Sequence, residues 1–343
     1  MNKGDVLVYR NAANGTEVIH MSSSLSQINS SYVIKEEGFL IGGFLSGPNG
    51  QGCFKFDYEN QFIYFIGCDD YQDYRNSEGF GDFTCTGQSL YKYDLQKRKV
   101  IKVANINTRI NPIDRIYQWV FSERENAIFY IFQKKLFSFD LNTFKTKEIF
   151  DTSILARSST KEIMITGGAR ESIVVRCEGY TIPTEEGMVL HQVIVYSIND
   201  ERIDLLTLGS FDVQMKYSNM SESGMLFEKH NFEDINKSEI ILLSGSSSKT
   251  INTAVTNSRF YWVSDSQFIV MNGNKLIRMN NELRVERTYT SEYQLHVIHT
   301  NSNKILVEEI DNNRVIVLDH EMSLVRTISS EFVEGLIQMQ TIE

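Results

Sequence analysis

Six times between Leu90 and Asp319 the chain repeats one pattern: a short apolar and aromatic strand, a turn-forming polar residue, then a second strand of alternating character. The first members are residues 90–95 (LYKYDL), 136–141 (LFSFDL), 193–197 (VIVYS), 240–244 (IILLS), 276–279 (LIRM) and 315–319 (VIVLD). Their starts lie 46, 57, 47, 36 and 39 residues apart, and residues 6–9 (VLVY) precede Leu90 by 84, close to two further periods. Other β runs stand ahead of these strands at 62–66, 128–132, 173–177, 268–271 and 305–307. Candidate innermost strands come earlier still, at 117–121, 260–263 and 295–298. Runs of this length, rich in Val, Ile, Tyr and Phe and bounded by Asn, Asp, Gly and Ser, read as strands. A period near forty residues with only strand content means small sheets repeated along the chain.

Four short antiparallel strands cannot bury both faces alone, so each sheet has to stack on a neighbour. Six complete units span 52–104, 115–152, 162–209, 211–254, 258–290 and 293–329. The remnants, 1–45 and 331–343, pair into a seventh unit, which removes an exposed strand edge. The pattern resembles the β-propeller superfamily across essentially the whole chain. That resemblance implies an all-β fold of seven four-stranded blades in one domain, closed by the N- and C-terminal strands. It is architectural. The Gly-His and Trp-Asp signature, the kelch double glycine and calcium-binding nonapeptides do not recur, so no functional residues are carried over. A solenoid, the rival architecture, has shorter and more regular repeats.

With 41% hydrophobic and 23% charged residues among 343, the composition is that of a globular chain. The net charge of −10 repels phosphate backbones, and the one dense basic run, Lys97-Arg98-Lys99, reads as a strand edge or turn. Nucleic acid is therefore not an expected partner. No stretch approaches the ~20 apolar residues of a membrane span, and the first twenty residues lack the apolar core of a secretory signal. The four cysteines (Cys53, Cys68, Cys85 and Cys177) form no close pair for structural zinc. The expectation is a monomeric cytoplasmic protein with reduced thiols.

Most loops between second and third strands are tight, but three segments are long: 67–88, 178–191 and 228–238. Their net charges are −4, −3 and −1, together −8 of the chain's −10. Long loops on a rigid scaffold are where binding residues concentrate. The candidate binding residues are Asp69, Asp70, Tyr71, Asp73, Tyr74, Phe80 and Asp82 in the first segment, Tyr180, Glu185 and Glu186 in the second, and Phe232, Glu233 and Asp234 in the third. Carboxylates among aromatics suit a basic peptide, a polyamine or a sugar, and can chelate calcium, the one cofactor to consider. Cys68 and Cys85 flank the first segment and are expected as free thiols.

Catalytic motifs are missing: there is no Gly-x-Ser-x-Gly elbow, no His-Glu-x-x-His helix and no phosphate-cradling glycine loop followed by a helix. His296 and His299 are three apart on a predicted innermost strand, which points them to opposite faces unless a bulge intervenes. Asp114, Glu162, Asp212, Asp265 and Glu292 lie near ends of predicted innermost strands, where turn capping is the ordinary role of a carboxylate. The leading expectation is a non-enzymatic binding or scaffold protein that takes a protein or peptide partner. A propeller-type hydrolase or lyase with a carboxylate-lined channel is the alternative, and a carbohydrate-binding protein the third.

Overall fold

The computed structural model describes the chain except for residues 13–14, 36–38, 42–53, 74–82, 108–118, 123–124, 134, 152–161, 170–171, 179–189, 211–212, 218–223, 232–237, 245–246, 254–258, 302, 330–335 and 343. The chain divides into two compact units, Met1–Phe121 with Glu125–Phe150 and Val333–Glu343, and Ser122–Arg124 with Asp151–Phe332.

The first unit holds three sheets. Strands β1 (Val6–Ala12), β2 (Gly15–Met21) and β3 (Ile28–Lys35) join the last strand of the chain, β29 (Leu336–Thr341), in the order β29-β1-β2-β3. The second sheet comprises β4 (Phe39–Ile41), β5 (Phe54–Asp57), β6 (Phe62–Asp73), β7 (Phe83–Asp94) and β8 (Lys99–Asn107), with β4 and β5 both paired to β6. The third comprises β9 (Trp119–Ser122), β10 (Ala127–Phe132), β11 (Lys135–Asp140) and β12 (Lys145–Asp151).

The second unit holds four sheets, each with its strands in chain order. They are β13 (Glu162–Ala169), β14 (Ser172–Glu178), β15 (Leu190–Ser197) and β16 (Arg202–Ser210), then β17 (Val213–Tyr217), β18 (Met225–Asn231), β19 (Ser238–Ser244) and β20 (Ser247–Thr253). Next come β21 (Arg259–Ser264), β22 (Gln267–Asn272), β23 (Lys275–Asn280) and β24 (Val285–Thr290), then β25 (Leu295–Thr300), β26 (Lys304–Glu309), β27 (Arg314–Asp319) and β28 (Leu324–Ser329).

The repeated apolar strand of the sequence is the third strand of six sheets, β7, β11, β15, β19, β23 and β27. It reads as a continuous apolar run because both faces are covered. In β27, Val315, Ile316, Val317 and Leu318 are all 0% exposed, whereas the outer strand β28 alternates between exposed and half-buried residues. The polar residue that ends the strand makes the turn. Asp94 Oδ1 accepts the amides of Gln96 and Lys97, and Asp140 Oδ1 those of Asn142 and Thr143. These amide donors hold both carboxyls below the usual range, as expected for an Asx turn.

Stacking follows in each unit. Leu226, Ile240 and Leu242 pack on Phe260, Phe268 and Val270, while Ile269, Met271 and Leu276 pack on Ile305, Val307 and Ile316. The β21–β24 sheet therefore buries one face against the preceding sheet and the other against the following one. In the first unit, Leu7, Tyr9 and Val18 pack on Phe54, Ile63 and Phe65, and Ile66 and Leu90 pack on Trp119 and Ile128. Each fully buried side chain of this size contributes about 1.5–3 kcal/mol.

The sheet holding both chain ends differs in phase. β29 takes its first position, so Val6–Tyr9 belongs to a second strand, with Val6 opposite Thr341 and Tyr9 opposite Gln338. The Gly4 amide donates to the Ile342 carbonyl (2.7 Å), and the Ile342 amide to that of Asp5 (2.8 Å). Gln338 extends the pairing sideways: its Oε1 accepts the Phe54 amide (3.0 Å) and its Nε2 donates to the Phe54 carbonyl (2.9 Å).

Candidate binding face

Each sheet has two ends, and backbone hydrogen bonds tell them apart. At one end, turns between first and second strands tie to turns between third and fourth: Leu141 donates to the Asn126 carbonyl and Asn281 to that of Ser266. At the other end, loops between second and third strands tie to the links from sheet to sheet. There Leu295 donates to the Gly273 carbonyl, Ser291 to that of Asn274, and Ile310 to that of Gln294. The long segments all leave from this second end of their own sheets, after β6, β14 and β18. At the corresponding place β10, β22 and β26 turn tightly.

The segment 67–88 differs from the irregular loop expected. β6 and β7 continue as a paired ribbon out to Asp73 opposite Phe83. The described part of β4 begins with Phe39 opposite Asp69, and that of β8 ends with Asn107 opposite Gln88. Among the described residues, the pairing of β6 with β7 continues past the last described pairs of β4 and β8.

Asp69 is held by neighbours in its own sheet. It accepts hydrogen bonds from the Ser89 and Tyr91 hydroxyls, and Lys102 Nζ lies 3.1 Å away, so its charge is already compensated. The alternation of Ser89 and Tyr91 along β7 is the sequence signal for that pocket. Asp70, Tyr71 and Asp73 lie on the projecting part of β6. Tyr74, Phe80, Asp82, Tyr180, Glu185, Glu186, Phe232, Glu233 and Asp234 lie outside the described residues, as do Asp114 and Asp212. Glu228, counted with the third segment, is instead a buried residue of β18 at 0% exposure.

Two further expectations change. Cys68 is in a disulfide, not a free thiol. A bulge in β25 between Val297 and His299 pairs His296 with Glu308 and His299 with Leu306, which brings both histidines to one face of the strand. His296 Nδ1 lies 3.3 Å from Glu308 Oε2, and burial pushes His299 down to about 4. Of the carboxylates near ends of innermost strands, Asp265 follows the end of β21, whereas Glu162 opens β13 and Glu292 precedes the start of β25. Among the described residues, no group of three His, Cys, Asp or Glu side chains is placed to hold a metal. No helix among them is long and apolar enough to cross a membrane.

No protein-family model matches the chain, and a search of curated proteins returns no match. Solved structures do match. The chain is similar to dipeptidyl peptidase 4 of Porphyromonas gingivalis, with a TM-score of 0.55 and 8% identity over 95% of this chain. It spans about half the length of that protein, 54%. It is also similar to apo AztD of Citrobacter koseri, with a TM-score of 0.50 and 11% identity over 98% of this chain and 96% of that one. At such identities the likeness concerns fold alone. With seven antiparallel sheets among the described residues, six of four strands and one of five, and one of them shared by the first and last strands, the chain has the fold of the β-propellers.

Proposed function

We propose that this chain is a non-enzymatic binding protein that takes a basic protein or peptide segment on the loop-bearing ends of its sheets, chiefly on the β6–β7 arm. The observation that carries the reading is the pairing of β6 with β7, which continues to Asp73 opposite Phe83, past the last described pairs of β4 at Asp69 and of β8 at Gln88. A strand edge can offer backbone donors and acceptors to an extended segment, and acidic neighbours favour a cationic one. The proposal assigns recognition to Asp70, Tyr71, Asp73, Tyr74, Phe80 and Asp82 of the first long segment in sequence, with Glu185, Glu186, Glu233 and Asp234 of the other two. The disulfide at Cys68 points to an oxidising compartment rather than the cytoplasm, where thiol pools keep cysteines reduced.

The test replaces residues 70–86 by Asn-Gly, which closes the hairpin as a two-residue turn above the Asp69–Gly87 pair. Wild type and variant are compared by calorimetry with an alternating Lys-Val peptide and by recovery of partners from native extract. The arm-less protein should lose binding while its melting temperature holds, and binding to the wild type should weaken with added salt. Equal binding by both proteins sinks the proposal.

A further inference from the structure

The sheet that joins the two ends of the chain brings a serine, a histidine and an aspartate within reach of one another. His20 on β2 stands opposite Ser30 on β3, and the next pair is Met21 with Ile28, so Asn29 is an extra residue on β3. A bulge of this kind re-aims side chains and recurs beside active sites. His20 Nδ1 lies 3.4 Å from Ser30 Oγ, and His20 Nε2 lies 2.8 Å from Asp5 Oδ2. His20 and Asp5 are buried, at 6% and 5% exposure, whereas Ser30 is half-buried between the exposed Asn29 and Ser31.

These contacts fix the protons. Burial opposes ionisation of Asp5, but its bonds with His20 and with the amides of Asn2 and Ser23 outweigh burial and hold the carboxyl below its usual value. An ionised carboxylate only accepts, so Nε2 carries the hydrogen of the 2.8 Å bond. Asn29 Nδ2, 3.5 Å from Nε2, is the weaker neighbour. In the neutral ring the lone pair is then on Nδ1, the atom that faces the Ser30 hydroxyl. The Tyr32 hydroxyl, 3.2 Å from Ser30 Oγ, is the other neighbour of that proton, and imidazole is the usual general base of the two. A hydroxyl beside a base that a third group orients is the arrangement of an activated nucleophile, and its distances are often looser before substrate binds.

We propose that Ser30 is a reactive nucleophile, a site at which this chain takes up an acyl group from an activated ester. Ser30 Oγ bonds to the ester carbonyl carbon while its proton passes to His20 Nδ1. The carbon–oxygen bond to the leaving alcohol or phenol then breaks, and the departing oxygen takes the proton back from His20. The products are O-acyl-Ser30 and the free alcohol or phenol. Asp5 is a positioning residue: it holds the tautomer of the ring and stabilises the imidazolium formed between the two proton transfers. No part of this step involves the β6–β7 arm.

The test mixes the full chain with p-nitrophenyl acetate, follows release of p-nitrophenol, and maps the acetyl group after trypsin. Trypsin cuts after Arg10 and Lys35, so Ser30 falls in peptide 11–35, whose sole lysine is the last residue. The expected result is a burst of one equivalent per chain with the acetyl group on Ser30. Ser30→Ala should abolish the burst and keep the melting temperature. His20→Gln, assayed below its own melting temperature, should slow the burst by about 100-fold or more. A burst that survives Ser30→Ala overturns the proposal, as does an acetyl group on His20 or elsewhere in place of Ser30, or no burst in the wild type. Sustained release that Ser30→Ala abolishes supports the nucleophile and counts against the non-enzymatic half of the binding proposal; the arm deletion tests the binding half separately.

Discussion

Asp5 shows how one buried charge organises a chain end. Its carboxylate lies 2.8 Å from His20 Nε2 and accepts the amides of Asn2 (3.0 Å) and Ser23 (3.1 Å). Burial pushes its pKa up, but the His20 and backbone hydrogen bonds outweigh burial and hold the carboxyl below its usual value. Glu309 behaves alike: burial opposes ionisation, and Arg314, Ser291 and Asn312 more than offset it. A carboxyl depressed in the folded state stabilises fully above its unfolded pKa of about 4, and that stability is lost as pH falls through the lower folded value. His299, depressed by burial to about 4, adds stability that fades as pH falls from about 6.5 toward that value. Thermal melts should therefore show a first loss between about pH 6.5 and 4 and a steeper one below. Asp5→Asn should lower stability at pH 7 by about 1–3 kcal/mol and flatten the acid limb; an unchanged pH profile would remove Asp5 from this account.

A second residue effect lies in the turns between third and fourth strands, where Arg98, Phe144, Glu201, Leu283 and Met322 all have φ between 49° and 61°. A side chain in this left-handed region costs roughly 1–2 kcal/mol. Glu201 is exposed, so Glu201→Gly should raise stability, by about 0.5–1 kcal/mol once the extra freedom of unfolded glycine is set against the relief. Urea midpoints measure it, and a fall in midpoint is the contrary outcome.

At the scale of the element, β5 owes its place to side chains as well as to β6. The Gln338 amide completes the Phe54 N–H and C=O as a neighbouring strand would, and Gln340 Oε1 accepts the Phe56 amide (3.1 Å). Tyr9 stacks on Phe54 with ring centroids 4.6 Å apart. Gln338→Leu keeps most of the volume but leaves two buried backbone groups unpaired, at about 1–3 kcal/mol each. The variant should unfold at lower denaturant, and the Phe54 amide should lose protection from hydrogen exchange. Retained protection would show that water replaces the glutamine.

For the whole molecule, the shared sheet makes the C terminus a structural requirement of the first unit. Without β29, β1 becomes an open edge, and the opposite edge strand β3 already exposes apolar Ile28 and Val33. Such edges recruit other chains. A protein ending at residue 332 should aggregate and lose amide protection in β1, β2 and β5, while β22 and β27 of the second unit keep theirs through their own core. Full protection throughout would mean that β29 is dispensable.

The repeated strands were readable in the residues because burial on both faces demands an unbroken apolar run, and Asp94, Asp140 and Asp319 mark where each run must turn. The seven-sheet fold followed from that period. The projecting arm was visible only as an over-long, acidic interval. A local pattern carries no information on partners distant in sequence, so several features emerged only from tertiary pairing. β29 takes the first place beside β1, and β6 pairs with β7 past the last described residues of β4 and β8. Asp69 is met by Lys102 across two strands, and one extra residue in β25 turns His299 onto the face of His296. Strand formation is decided by neighbours two residues apart, whereas pairing depends on which distant backbone is left with a donor and an acceptor to satisfy.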